Sequence, residues 1–477
     1  MPKFVMKHAM LAYVLALLAC NAAYAPHTLE WHWWVFGIVE VCGFFYLGYM
    51  LIKSWMGLKP KVFTRNVFLL SFVLRVIWVI LSYGLYQSWT GTPFSIDAAD
   101  EFFYNEMGQY GAELLRNGQW DIYKPLEKYG EVAFSDMGYP IYLSFLYYIF
   151  FDSILMARII KAALGAWTAV LIYKLAKRNF GEHTGRMAAI LCVLMPNLIH
   201  YCSMQLKEVE MVFLAMLFAE RADFLLRQKK MSWISLLLLM LIPAYMFMIR
   251  TALAAVLVLA FFCALVLSSE RIISRGRRAV LILLAAVFVA VMFFSNTSIG
   301  QDVMDMWSSG GSSQQANMEW RSERGQYQGV ANQSFAKYAG AAVFAPMIFT
   351  IPFPTMNQIE GQEIQIIIHG GNFVKNIMSY FTILALFVLL FSGNWRKHVL
   401  PIAILCGYLV VLVFSNFAQS ERFHLPILPL HLMIAAYGIS LLSQQKQFSR
   451  WYNYWCVIMF VAALAWNWFK LAGRGLI

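Results

Sequence analysis

The stretch SWISLLLLMLIPAYMFMI, residues 232–249, contains no charged side chain and decides the fold class. Similar apolar runs occur at Ala279–Ser295 and Phe381–Phe391. A run of about 20 apolar residues is typical of a membrane helix, because lipid offers no hydrogen-bond partner to an open backbone. We therefore predict an all-α, polytopic membrane protein.

The composition of the whole chain agrees with this prediction. Apolar residues make up 61% of the sequence and charged residues 13%, against about 25% charged residues in a soluble domain. The net charge of +12 comes from short basic clusters between apolar runs, as a positive-inside bias would place them, so we expect no nucleic-acid partner. The seven cysteines form no CxxC pair and are expected to be buried thiols.

Basic clusters indicate which ends of the helices face the cytoplasm. The clusters placed inside begin at Lys53, Lys174, Arg227, Arg271, Arg396 and Lys446. Loops 89–137 and 296–336 then lie outside, and the first of them carries nine acidic residues. We expect an integral, multi-pass protein of a bacterial inner membrane.

The apolar pattern predicts about 13 transmembrane helices with outer-face juxtamembrane helices. The predicted spans are 10–25, 33–54, 67–88, 154–174, 185–203, 208–226, 231–249, 251–268, 279–296, 374–393, 399–417, 424–442 and 452–470. Tyr139–Phe151 is too short to cross and Ala341–Phe353 is interrupted by prolines, so both are placed at the outer face. Residues 1–25 also resemble a secretory signal, but an uncleaved first helix is favoured.

These predicted spans divide the chain into four parts. Residues 1–66 form an N-terminal pair of membrane helices, and residues 67–300 form the core, with a first outer loop at 89–153. An outer loop or re-entrant segment occupies residues 301–373, and further membrane helices occupy residues 374–477.

An acidic group lies at the start of the first outer loop. Asp97, Asp100, Glu101 and Tyr104 are spaced so that they share one face of a helix. The helix should continue to about residue 116, with Gly118 in the left-handed conformation beyond its end. Three neighbouring carboxyls favour a raised pKa or a bound cation, although a cap and favourable contacts with the helix dipole explain them equally well.

The order of several motifs resembles the GT-C glycosyltransferases, in the branch of the protein O-mannosyltransferases and the lipid A aminoarabinose transferase (glycosyltransferase family 39). The motifs are Asp100-Glu101, Ala112–Leu115, Gly138-Tyr139-Pro140, Arg158, Leu175–Gly181, Met195-Pro196 and Arg422–Pro429. The sequence departs from that branch in two features. Two apolar helices precede the span that leads into the first outer loop, and no large outer C-terminal domain follows.

The resemblance implies that a sugar is moved from a polyprenyl-phosphate carrier to an acceptor hydroxyl on the extracytoplasmic face, with inversion. The acceptor is a lipid, a glycan or a protein, and membrane lipids are the other partners. The match to the family's acid pair makes Asp100 the expected catalytic base, with Glu101 and then Asp97 in reserve.

The departing phosphate requires cations at the membrane surface. Lys207, Arg250 and Arg422 lie at the outer ends of predicted spans, so we expect them to bind the donor phosphate, with snorkelling to lipid headgroups as the alternative. The expected supporting residues are Tyr104, Asp136, Tyr139, Glu208, Arg321 and Arg324. The last two lie in the second outer loop, which would be either a lid or a passive connector.

The resemblance favours no metal ion, although Asp97, Asp100, Glu101 and Glu208 offer the oxygen ligands that Mg²⁺ or Mn²⁺ prefers. No nucleotide-binding fingerprint occurs, so no other cofactor is expected. Two other functions stay open. A polymerase or ligase of lipid-linked oligosaccharides would use Arg321 and Arg324, and a lipid or solute transporter would use charges inside the membrane.

Overall fold

The computed structural model describes residues 1–96, 98–130, 134–228, 232–268, 276, 279, 281–283, 345–414, 420–442 and 445–477. In this part of the chain the secondary structure is helical, and a single isolated bridge joins Thr28 to Asn357. Three predictions fall outside it. These are the span at 279–296, apart from four of its positions, the loop with Arg321 and Arg324, and the side chain of Asp97.

The first ten helices are α1 (Lys3–Ala23), α2 (Trp31–Cys42), α3 (Gly48–Trp55), α4 (Pro60–Thr90), α5 (Ala99–Arg116), α6 (Tyr123–Gly130), α7 (Gly138–Phe150), α8 (Ile154–Phe180), α9 (Glu182–Leu194) and α10 (Pro196–His200). The others are α11 (Glu208–Leu226), α12 (Trp233–Phe247), α13 (Thr251–Leu267), α14 (Glu363–Ile367), α15 (His369–Phe391), α16 (Val399–Phe414), α17 (Glu421–His424), α18 (Leu428–Leu441) and α19 (Lys446–Ala472). The all-α membrane fold predicted from the sequence is confirmed.

Seven helical segments of the described chain are long and apolar enough to cross a membrane, or eight if α9 and the segment Pro196–Ser203 form one bent span. Helices α12, α13 and α16 are apolar but shorter, with 10–17 residues each. Helix α11 has 19 residues but carries several acids. The predicted number of spans remains a prediction.

Two predicted spans depart from a regular, straight α-helix in the structure. A π-helical turn at Gly43–Leu47 separates α2 from α3 within the span predicted at 33–54. Helices α9 and α10 meet at Met195-Pro196 with a bend of 56°, because proline has no N–H to continue the helical hydrogen bonds. The bend directs the chain after Pro196 into the turn that carries Lys207.

Glycines allow two pairs of helices to approach closely. A Cβ atom on Gly111 of α5 would lie 2.0 Å from the Oγ of Ser144 on α7. A Cβ on Gly438 of α18 would lie 2.0 Å from the carbonyl oxygen of Phe381 on α15. Only a residue without a side chain fits at such contacts, as is common between membrane helices.

The far ends of α8 and α11 are joined by ion pairs. Arg178 on α8 lies 2.7 Å from Glu220 and 2.8 Å from Asp223, both on α11. Asp223 also pairs with Arg227 at 3.0 Å. This network fixes α8 against α11, so that their other ends are held in register where the polar site lies.

Candidate active site

The centre of the site is Arg422, at the start of α17. Its Nη1 donates to the carboxylate of Asp100 on α5 at 2.5 Å, and its Nε donates to Glu208 at the start of α11. The Asp100 side chain is 59% exposed and the Glu208 side chain 2% exposed. One guanidinium thus joins an accessible carboxylate at the surface to a buried one below it.

Lys207 lies immediately before α11 and is buried. Its Nζ donates to Asp136 and, at 2.9 Å, to the carbonyl oxygen of Ile249. Burial lowers the pKa of Lys207, while the charge of Asp136 acts in the opposite direction. The ammonium is therefore dehydrated but retains a carboxylate partner.

Arg250 follows Ile249 at the start of α13, and its guanidinium lies 4.4 Å from the centre of the Phe423 ring. Phe423 is the neighbour of Arg422 in the chain. The three cations Lys207, Arg250 and Arg422, from three separate parts of the sequence, therefore meet at one end of the bundle. Such a group is suited to binding a phosphate.

The turn that carries Lys207 is fixed by buried charges. Glu101 accepts from the backbone N–H of Gln205 at 2.6 Å, and Lys161 donates to the carbonyl oxygens of Met204, at 2.8 Å, and Leu206. Glu101 also pairs with Arg158 at 3.4 Å, and both side chains are at most 1% exposed. These contacts hold both sides of the turn before Lys207.

Helix α7 forms another wall of the site. The N–H of Gly138 donates to the carbonyl oxygen of Met248 at 2.7 Å, and a Cβ at Gly138 would meet Ile249 at 2.8 Å. Tyr139 packs edge-on against Tyr104 with ring centres 5.1 Å apart. Burial raises the pKa of both phenols, so these rings are neutral at physiological pH.

The predicted acids have different surroundings. Helix α5 extends over Ala99–Arg116 and Gly118 has a positive φ of 80°, as predicted. Adjacent helical residues lie about 100° apart, so Asp100 points outward to Arg422 whereas Glu101 points into the core. Asp97 lies outside the described residues, and so do Arg321 and Arg324.

The sequence analysis did not assign Lys161, Gln205 or Glu210 to the site. The Nζ of Lys161 lies 3.8 Å from the carboxylate of Glu210 and 4.9 Å from the centre of the Tyr139 ring. Arg158 and Lys161 stand three residues apart near the start of a long apolar run. Two basic residues at that spacing in an apolar run are a sequence signal for a buried, functional charge. No sequence pattern predicts the backbone contact of Gln205.

The four expected oxygen ligands of a metal ion are described only in part, because Asp97 lies outside the described residues. No three His, Cys, Asp or Glu side chains among them are close enough to hold a metal ion together. Asp100 and Glu208 instead share the guanidinium of Arg422.

A bundle of membrane helices with a carboxylate and three cations at one end defines a polytopic membrane protein with a polar site at that end. Residues 137–297 match the family described as dolichyl-phosphate-mannose-protein mannosyltransferase, a GT-C superfamily domain. The match includes Tyr139, Lys207 and Arg250, but not Asp100 or Arg422. It confirms the resemblance seen in the sequence and supports a membrane glycosyltransferase with a lipid-linked sugar donor. No curated protein and no solved structure matches the chain at a significant level.

Proposed function

We propose that the chain transfers a sugar, with inversion, from a polyprenyl-phosphate donor to an acceptor hydroxyl on the extracytoplasmic side of a membrane. The observation that carries the proposal is the contact of Arg422 with Asp100 and Glu208, next to Lys207 and Arg250. A sugar-transfer site requires a base at its surface and cations for the leaving phosphate, and this cluster supplies both.

In the proposed reaction, Asp100 accepts the proton of the acceptor hydroxyl as its oxygen attacks the anomeric carbon. The bond between that carbon and the phosphate oxygen breaks, and polyprenyl phosphate leaves with the electron pair. Lys207, Arg250 and Arg422 bind the phosphate, whose negative charge increases as the bond breaks. The proton ends on Asp100 and returns to solvent through its exposed face.

The burial of the two acids supports different tasks for Asp100 and Glu101 in this proposal. Glu101 is buried and its oxygens already accept from Ser95, Gln205 and Arg158. It cannot reach an acceptor without leaving those contacts. We therefore assign the proton transfer to Asp100 and treat Glu101 as a positioning residue for the turn before Lys207.

Product analysis tests the proposal directly. Purified protein in nanodiscs is given tritiated polyprenyl-phosphate mannose and a second tritiated polyprenyl-phosphate hexose, together with a membrane extract as the source of acceptors. We expect labelled product whose anomeric configuration, determined by NMR, is opposite to that of the donor. Retained configuration would contradict the inverting mechanism. Movement of intact donor across liposomes without any transfer would identify a transporter instead.

A further inference from the structure

An aromatic cleft lies beside the site, between the start of α2, the end of α4 and α14. Its inner part has a volume of about 200 Å³ and is lined by Trp33, Phe36, Trp78 and Trp89, among others. Its outer part, of about 240 Å³, shares Trp33 and Trp89. All the lining residues lie outside the stretch 137–297, so the family match says nothing about this cleft.

The cleft is apolar inside and polar at its mouth. Glu30, Gln358 and Glu363 line the outer part, and the inner part includes Leu85 and Ile367. The Glu30 side chain is 64% exposed. A ligand that fills both parts must have an apolar chain and a polar head.

Most polar groups at the mouth accept hydrogen bonds; the exception is His32, which lines both parts of the cleft and whose Nδ1 lies 3.4 Å from the Glu30 carboxylate. Glu30 and Glu363 carry carboxylates, and the buried Oε1 of Gln358 has no hydrogen-bond partner among the described residues. A buried acceptor without a donor is costly, so the expected head group donates hydrogen bonds. Hydroxyl groups meet this requirement, whereas two carboxylates repel an anionic phosphate.

The cleft adjoins the candidate active site through two of its lining residues. Ile96 lines the mouth, and its neighbour Ser95 donates to Glu101. Trp78 lines the inner part and donates through Nε1 to the carbonyl oxygen of His200 at 3.3 Å. The next residue, Tyr201, donates to Glu421 at 3.2 Å, next to Arg422.

We infer that this cleft binds the acceptor, and that the acceptor is an amphipathic lipid with an uncharged, hydroxyl-bearing head. Its chain lies among Trp33, Trp78 and Trp89, and its head lies at the mouth beside Glu30 and Glu363. The inference rests on the proposed function and names the acceptor class for the same site. The donor phosphate binds separately, at the three cations.

The test compares two acceptor fractions. Purified protein in nanodiscs receives tritiated polyprenyl-phosphate mannose with either the total lipid extract or the delipidated protein fraction of the host membranes. We expect label in a product soluble in chloroform and methanol. Label in the protein fraction alone would overturn the inference but leave the proposed function intact. If neither fraction is labelled, with this donor or with other polyprenyl-phosphate hexoses, the proposed function fails.

Matched variants then test the cleft itself. Trp33→Ala and Glu363→Lys should each raise the KM for the lipid acceptor about tenfold, which is about 1.4 kcal/mol of binding free energy. The controls Trp31→Ala and Glu360→Lys change exposed neighbours that do not line the cleft, and should change that KM less than twofold. Glu363→Lys alters only the mouth, so it remains informative if Trp33→Ala fails to fold. An unchanged KM for the acceptor, or a raised KM for the donor instead, would overturn the inference.

Discussion

Replacing Asp100 by Asn should abolish most sugar transfer while leaving the fold intact. The Asp100 side chain is 59% exposed, and Arg422 keeps Glu208 as its second partner, so loss of the pair should cost about 0–1 kcal/mol of stability. A general base contributes about 10²–10⁴ in rate, or about 3–5 kcal/mol of activation free energy. The expected result is therefore a fall in kcat of at least about a hundredfold, with the melting temperature nearly unchanged.

The assay is steady-state transfer of tritiated sugar in nanodiscs, with Glu106→Gln as the control. Glu106 is an exposed acid on the same helix α5 and has no assigned role. Its variant should retain the activity of the unmodified protein. If Asp100→Asn keeps its kcat and raises only the KM for the donor, Asp100 merely holds Arg422 in place. A retained kcat would therefore refute the assignment of the base.

Further predictions concern pH, a buried ion pair and helix packing. Because burial lowers the pKa of Lys207, kcat/KM for the donor should fall at alkaline pH earlier than an exposed lysine would allow. Lys207→Arg should move that fall to higher pH, and an unmoved profile would exclude Lys207 as its source. Thermal unfolding in detergent should show a loss of about 3–5 kcal/mol for Glu101→Gln, which breaks a buried pair. Removing the exposed ion pair between Arg116 and Asp152 should cost only about 0–1 kcal/mol. Equal losses of unfolding free energy from the buried and the exposed pair would contradict this prediction. Gly438→Ala should destabilise by about 1–3 kcal/mol, because its Cβ would contact a backbone carbonyl. Gly84→Ala, with nothing within 4 Å, should be neutral or stabilising by up to about 1 kcal/mol. A destabilised Gly84→Ala and an unaffected Gly438→Ala would contradict the packing argument.

Local patterns were sufficient to predict several features correctly. The spacing of Asp97, Asp100, Glu101 and Tyr104, together with Gly118, predicted a helix that ends near residue 116, and α5 ends at Arg116. The short apolar run after Gly138 predicted the separate helix α7. Lys207 and Arg422 were chosen as candidates because charged side chains at the ends of apolar runs are costly to place near lipid. The structure brings both into contact with the acids of one cluster, and their binding of a phosphate stays a prediction.

Other features depend on contacts that local patterns do not encode. Asp100 and Glu101 are neighbours in one motif, but the ion pair of Glu101 with Arg158 on α8 and the turn at Gln205 decide which acid is buried. The π-helical turn at Gly43–Leu47 occurs within a continuous apolar run. The aromatic cleft brings Trp33 and Glu363 together from distant parts of the sequence, so only the three-dimensional arrangement reveals it.

The affinity for polyprenyl phosphate tests the central claim most directly, because it measures phosphate binding separately from transfer. Radiolabelled polyprenyl phosphate is titrated onto purified protein in nanodiscs for the unmodified chain, for Arg422→Gln and for Arg396→Gln. Arg396 is an exposed arginine in the turn after α15 and has no part in the site. We predict that Arg422→Gln weakens binding at least about tenfold, or about 1.4 kcal/mol, and that Arg396→Gln binds as the unmodified protein does. Equal affinity for all three proteins would contradict the phosphate site.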